Sequence, residues 1–341
     1  MTPLLLAVLL GQALHGWVDV FYGLNTNRPA DGASFLPGTG TTARRANELN
    51  LNAAALDFAV DPQPVGVHLT LAFGSGPEVL HGGEISGPGT GPSVWRAVYQ
   101  ASVSYTAPIG SGLQLEAGIY PSHIGYESFF SRDNWNYTRG WMGEYSPYDQ
   151  AGIKASYSFD AHWSAQLHLL NGWQLLGDNN RAKAAGTQLA YTNDRVTVAF
   201  NTFAGPELPG DDSHWRLFGD LTALFKVSPT LSLAATADLG WQDRTGGAAL
   251  WHGVGVSGRQ ALTDTVAIAL RLEYYRDRDG FMSGTAQLLR DATATLEVRP
   301  GAHLIVKLEA RHDLSDAAVF TAAQGRSTAQ TLAIASAVAS Y

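Results

Sequence analysis

Apolar and polar residues alternate one for one through most of this chain. In the stretch Val94 to Gly125 two such runs meet at the turn Pro108-Ile109-Gly110-Ser111-Gly112. In the first, Ala97, Tyr99, Ala101, Val103 and Tyr105 fall on one face and Gln100, Ser102, Ser104 and Thr106 on the other. In the second, Leu113, Leu115, Ala117 and Ile119 oppose Gln114, Glu116, Gly118 and Tyr120. A period of two over about ten residues predicts a strand whose faces meet different solvents, and a Gly/Pro turn between two such runs predicts a hairpin.

The same unit recurs along the chain. Strands are predicted at Trp17 to Leu24, about Asn47 to Val60, Val65 to Phe73, 150–159, Trp163 to Leu169, on both sides of a turn at Asn193-Asp194, and at 215–226 and 231–241. Further ones lie near 247–260, 263–277, 283–299, 302–313 and 327–341, about sixteen in all. In the second strand Leu49 and Leu51 are out of phase with Leu56, Phe58 and Val60, which predicts a bulge. Short connections alternate with mostly longer ones: 25–46, 74–93, 121–149, 171–185, 205–212, 276–282 and 312–326. An even strand number with short turns at one end and long loops at the other is the pattern of an all-β, transmembrane, antiparallel up-and-down β-barrel with periplasmic turns and extracellular loops. A soluble sandwich gives no reason for that asymmetry, and no blade-length repeat suggests a propeller.

Charge sharpens the reading. Glu116, Lys154, Arg216, Asp220, Lys226, Asp238, Arg271, Glu273, Glu297, Arg299, Lys307, Glu309 and Arg311 all share the polar parity of their strands. Arg or Lys on a lipid face at mid-bilayer costs about 2–4 kcal/mol, so these residues are expected to face a water-filled lumen. Arg290 departs from the parity and is expected near the outer interface. Aromatic residues near strand ends (Trp17, Trp95, Tyr105, Tyr157, Trp163, Trp173, Tyr191, Trp215, Trp241, Trp251 and Tyr274) are expected to form interfacial girdles.

Composition agrees. Charged residues are 15% of the 341, against roughly 25% in an average soluble domain. There is no cysteine, so no disulfide or thiolate metal site, and a net charge of −8 without a basic stripe argues against nucleic acid. No run has the length and apolarity of a membrane-spanning helix. Residues 1–13 are expected to be a signal peptide, from the apolar run Leu4 to Leu10 and the small residues that follow, and 14–341 a single domain.

Candidate chemistry is sparse. His162 and His168 are too far apart in sequence to chelate a metal unaided, and Gly38-x-Gly40-x-x-Ala43 lacks the βαβ context of a dinucleotide site. Asp277-Arg278-Asp279-Gly280 reads as a loop-tip turn rather than a calcium loop. No hydrolase, zinc-protease or P-loop motif occurs, so neither an enzyme nor a cofactor is expected.

The segments AVYQASVSYTAPIGSGLQLEAGIYPSHIGYES, EYSPYDQAGIKASYSF and LHLLNGWQLLGDNN resemble the beta-barrel porin-2 (OmpL-like) family. The resemblance rests on Gly118, Tyr120, Gly125 and Glu127, then Pro147 and Gly152, then Asn171-Gly172-Trp173. It implies passive passage of small hydrophilic solutes across a bacterial outer membrane. Tyr341 is similar to the closing aromatic that such barrels present to their insertion machinery, although the last strand, TLAIASAVASY, departs in an outer face of mostly alanine. The partners so implied are the lipid bilayer, lipopolysaccharide, that machinery, and further copies in a homotrimer.

Long third loops set the constriction in general porins. The third long loop here carries Glu127, Arg132, Asp133, Arg139, Glu144 and Asp149, which are expected to set a transverse field. The wall charges Glu116, Lys154, Arg216, Asp220, Lys226, Asp238, Arg271, Glu273, Glu297, Lys307 and Glu309 are the expected pore lining. The competing readings are a capping surface loop, a barrel that does not transport, and a secreted soluble β-protein that binds carbohydrate.

Overall fold

The computed structural model describes residues 14–84 and 96–341. The signal-peptide expectation and Trp95 lie outside these residues. Fifteen strands come first: β1 (Leu14–Asn25), β2 (Leu49–Val60), β3 (Val65–Phe73), β4 (Val98–Ala107), β5 (Leu113–Pro121), β6 (Asp149–Ser158), β7 (Trp163–Leu170), β8 (Ala184–Thr192), β9 (Val196–Pro206), β10 (Trp215–Lys226), β11 (Leu231–Gln242), β12 (Ala249–Ala261), β13 (Val266–Asp277), β14 (Gln287–Gly301) and β15 (Leu304–Ser315). A two-residue ladder, β16 (Phe320–Thr321) with β17 (Arg326–Ser327), precedes the last barrel strand, β18 (Ala329–Ser340). Each of the sixteen barrel strands pairs antiparallel with its neighbours, and β18 pairs with β1, so the sheet closes. Its seam runs from Trp17 opposite Ser340 to Asn25 opposite Leu332, and Gly16 and Tyr341 exchange backbone hydrogen bonds at 2.9 and 2.8 Å.

The expected strands are present and the two ends differ as expected. Connections at one end have two to five residues; at the other, eight loops run from six residues (L6, 243–248) to twenty-seven (L3, 122–148). The remaining long loops are L1 (26–48), L2 (74–97), L4 (171–183), L5 (207–214), L7 (278–286) and L8 (316–328). Among the described residues no helix is long and apolar enough to cross a membrane.

Sidedness follows parity. In β13, Ile268, Leu270 and Leu272 are exposed on the outside while Ala269, Arg271 and Glu273 are buried inside. The bulge in β2 is present: Asp19 faces Ala53 and Val20 faces Leu51, so the intervening Asn52 is unpaired and the phase changes there. A second irregularity was not legible. Between β3 and β4 the register jumps from Thr70–Gln100 to Leu71–Val98, which turns Tyr99 inward instead of outward with Ala101 and Val103. Arg290 is exposed near the long-loop end of β14, opposite Tyr274.

The girdle expectation is corrected at three positions. Tyr105, Trp163 and Trp215 face outward, with Trp163 5.1 Å from Tyr191. Trp17, Trp173 and Trp251 instead point into the barrel and are buried. Trp251 lies across Gly240 of the neighbouring strand, where a Cβ would come within 1.9 Å of the indole, so the glycine makes the room. Trp173 packs edge-on against Phe203 and Phe218 at 5.0 and 4.8 Å. They join Phe35 and Leu36 of L1, Trp141 of L3, Phe281 of L7 and Phe320 of L8 in an apolar cluster inside the long-loop mouth.

The outward position of Leu270 yields a depth-dependent test. Leu270→Arg should cost about 2–4 kcal/mol in urea unfolding from lipid vesicles, and Leu233→Arg, closer to a strand end, clearly less. Equal costs would place both side chains in the same environment.

Candidate functional site

L3 lies inside the barrel. It leaves β5 and re-enters β6 at the paired residues Pro121 and Asp149, and between them contains a short 3-10 turn, Ser131–Asp133, and a helical turn, α1 (Trp141–Glu144). A chain crossing an enclosed space carries backbone groups that need partners. The wall charges supply them. Glu309 accepts the N–H groups of Tyr137 (2.6 Å) and Thr138 (3.0 Å), and Glu273 accepts those of Trp141 and Met142, the latter at 3.1 Å. Lys307 donates to the carbonyls of Ser131 (2.8 Å) and Asn134 (2.5 Å). Asp19 of β1 accepts the hydroxyls of Ser131 (2.5 Å) and Tyr137 (2.8 Å). A Cβ at Gly140 would lie 2.5 Å from the Glu273 carboxylate, so a larger residue there would push that carboxylate off the two amides it holds.

A buried ion ladder backs this contact. Arg271 binds Asp291 (2.9 Å) and reaches across to Glu127 of L3 (2.8 Å), while Arg311 binds Asp291 (3.0 Å) and Asp313 (2.8 Å). Arg311 also donates to the Arg139 carbonyl and faces the rings of Phe35 and Trp141. Buried pairs of this kind are costly to break on one side only, because the partner is left charged and unpaired.

The six candidates, five in L3 and Asp149 at the start of β6, separate into two groups. Glu127 is tied to Arg271 and to the Gly140 N–H at 2.8 Å. Arg139 is fully buried between the rings of Phe129 and Tyr148 and donates to Thr41 of L1; Glu144 accepts from Gly40 (2.9 Å) and from the Thr41 hydroxyl (2.8 Å). Asp149 is buried, 3.6 Å from His81 of L2. Arg132 and Asp133 are the two that reach open space, 3.4 Å apart, with Arg132 over the Trp17 ring at 4.5 Å.

The wall candidates divide likewise. Arg271, Glu273, Lys307 and Glu309 lie under L3. Arg216 is buried beneath Trp173, Trp251 and Phe281 and donates to Gln242 at 3.0 Å. Asp220 and Asp238 border a small cavity between L3 and the β10–β13 wall. Glu116 and Lys154 pair at 2.6 Å, Glu297 holds Arg259 (2.8 Å) and Arg299 (2.9 Å), and Lys226 is exposed at the short-turn end of β10.

Open space is concentrated in the short-turn half. One cavity of about 450 Å³ is bordered by Asp57, His68, Gln100, Tyr126, Arg132 and Asp133; a second, of about 550 Å³, is bordered by Ser102, Ser104, Gln114, Glu116, Lys154 and Gln166. His162 sits in a turn, whereas His168 points inside and stacks on His123 at 4.0 Å. Asp277 caps the L7 turn through the N–H groups of Phe281 and Met282, as a loop-tip turn requires. Sequence reasoning missed Asp19, Asp291, Asp313 and Thr41 as anchors. The first three sit on the inward parity of their strands, a signal that could have found them, but nothing local points Thr41 at Glu144.

A closed sixteen-stranded barrel with its third loop folded inside is the architecture of porins. The chain belongs to the family described as "Putative beta-barrel porin-2, OmpL-like", whose profile matches residues 12–341. Three solved structures share the fold. Salmonella typhi OmpF in complex with daunomycin is 12% identical with a TM-score of 0.65, covering 96% of this chain and 97% of that one. The anion-selective porin from Comamonas acidovorans is 11% identical with a TM-score of 0.64, covering 96% and 98%. The trimer form of in-vitro folded OmpT from Vibrio cholerae is 11% identical with a TM-score of 0.61, covering 96% and 98%. No curated protein matches the sequence.

Two tests follow from the anchoring. Glu309→Gln keeps the shape but removes the charge that holds two amides. Hydrogen exchange at Tyr137 and Thr138 should accelerate, with a local loss of about 1–3 kcal/mol, and unchanged protection would show that Glu309 does not hold the loop. Glu207 of L5 is buried and its carboxyl is pushed up to about 7 by that burial, against the Arg216 charge and the Trp173 N–H, which act to lower it. The folded chain therefore keeps a proton that the unfolded chain has lost, so this group's contribution to stability falls as pH rises from about 4.5 to about 7. Glu207→Gln should flatten that part of the urea-midpoint profile, and an unchanged slope would contradict it.

Proposed function

We propose that this chain is a weakly selective porin of the bacterial outer membrane, forming a water-filled channel through which small hydrophilic solutes and ions diffuse passively. The observation that carries this reading is the polar interior of the short-turn half, whose charged side chains are of mixed sign: Arg132 beside Asp133 and Lys154 beside Glu116. Charges of both signs lower the barrier for hydrated ions of either sign, and the fixed pairs create a local transverse field rather than a net one. The apolar cluster in the long-loop mouth supports a narrow path and hence a small conductance.

The same reading extends to assembly. The outer face of β18 carries Ala333, Ala335, Ala337 and Ala339, and with β14 and β15 it borders a shallow groove of about 640 Å³ that includes Tyr22, Leu296 and Leu308. Small outward side chains give lipid little to grip and let another sheet come close. A second copy of this chain is the occupant we assign to it, in a homotrimer of the kind formed by the OmpT structure.

Purified protein in a planar bilayer should give small, stepwise conductance, with steps arriving in threes. Arg132→Glu should shift the reversal potential under a salt gradient towards cation preference. A silent barrel would overturn the channel, and steps that only ever come singly would overturn the trimer.

A further inference from the structure

We propose that the small cavity between L3 and the inner wall is a site for one hard divalent cation of the calcium class, held by Asp220 and Asp238. The two residues face each other directly across β10 and β11, and both are buried and turned inward. Their cavity is bordered also by Ser146 of L3, Thr236, Ser257 and Glu273.

Charge balance makes the case. Among the described residues neither aspartate has a cationic partner: the nearby Arg271 is already taken by Asp291 and Glu127. Glu273 has both oxygens on L3 amides. Asp238 receives the Ser146 hydroxyl, at 3.3 Å, and its carboxyl lies in hydrogen-bonding contact with that of Asp220. Asp220 uses Oδ1 for the Gly125 N–H (3.2 Å) and the Asn201 amide, while its buried Oδ2 has no donor outside the aspartate pair itself. Two adjacent carboxylates withdrawn from water cannot both stay ionised without a countercharge. One divalent cation balances both and takes the place of the proton the pair would otherwise share.

The donors define the ion. The ligands that Asp220, Asp238, Ser146, Thr236 and Ser257 offer are oxygens, and neither cysteine nor histidine borders the cavity. Its sulfur, the thioether of Met142, packs against Gly253, and the set favours a hard ion over softer metals. No trio of acidic or histidine side chains among the described residues is spaced to grip a metal, so the shell is two carboxylates completed by hydroxyls and water. Calcium accepts such an irregular oxygen shell, whereas magnesium demands a near-ideal octahedron. A free volume of about 30 Å³ suits one ion with a little water and is too small for an organic solute. Bound there, the ion joins Ser146 and Gly125 of L3 to the β10–β11 wall, several strands round the barrel from the Glu309 and Lys307 anchors. This holds whether or not the pore conducts.

The test uses full-length protein refolded into detergent free of lipopolysaccharide, stripped with EDTA and dialysed against calcium. One equivalent should bind to the wild type and be absent from Asp220→Asn and Asp238→Asn, both still migrating as folded barrels on unheated gels. Asp211→Asn, a surface-loop control, should retain it. If the Asn variants do not fold, Ser146→Ala serves instead and should bind calcium several-fold more weakly. The proposal fails if the wild type takes up no calcium at millimolar concentration. It fails too if the variants bind as the wild type does. An infrared band of a protonated carboxylic acid that persists in calcium and vanishes in Asp238→Asn would overturn it in favour of a shared proton.

Discussion

Hydrocarbon offers no hydrogen bonds, so a sheet that crosses it must leave no edge. The pairing of β1 with β18 meets that demand, and the rest of the structure depends on it. Without that seam two rows of backbone N–H and C=O groups would face lipid, each unsatisfied group costing several kcal/mol. Closure also fixes sidedness. Once the sheet is a barrel, every residue is either outside or inside, and a one-residue slip anywhere would exchange the two sets. The bulges at Asn52 and Tyr99 lie in the β1–β4 region, where L1, L2 and L3 press on the inner wall, and a third irregularity, between Val298 and Gly301, lies at the short-turn end of β14.

The interior is neither an open pore nor a packed core. Along β13–β15 the inward charges act as a dock for L3: carboxylates meet loop amides, Lys307 meets loop carbonyls, and the arginines are held between aspartates. Charge-assisted hydrogen bonds in such a dry setting are strong and directional, which fixes the loop's path. On the opposite wall, β3–β7, the inward residues are smaller and neutral or paired, and there the space stays open. The asymmetry between the two walls places the loop on one side and the open space on the other.

Much of this was legible in the sequence. Alternation located the strands, connection length separated the two ends, and charge parity told inside from outside; each is a local signal repeated sixteen times. The site was less legible for a physical reason. Glu144 meets Thr41 from 103 residues away, and Arg139 meets the same residue from 98; such contacts leave no trace in local pattern. Parity reported that Arg271 and Glu309 face inward but not that a loop covers them. The aromatic residues misled most. Trp17, Trp173 and Trp251 suit an interfacial girdle or an interior cluster equally well by composition, and only the packing of L1, L3, L7 and L8 decides.

Spin-label accessibility along β13 tests the central claim most directly, with labels placed singly from Ile268 to Glu273 in protein reconstituted into lipid vesicles. Labels at 268, 270 and 272 should be relaxed by oxygen dissolved in the bilayer and those at 269, 271 and 273 should not. A profile without a period of two, or one with the lipid-accessible positions at 269, 271 and 273, would contradict the account.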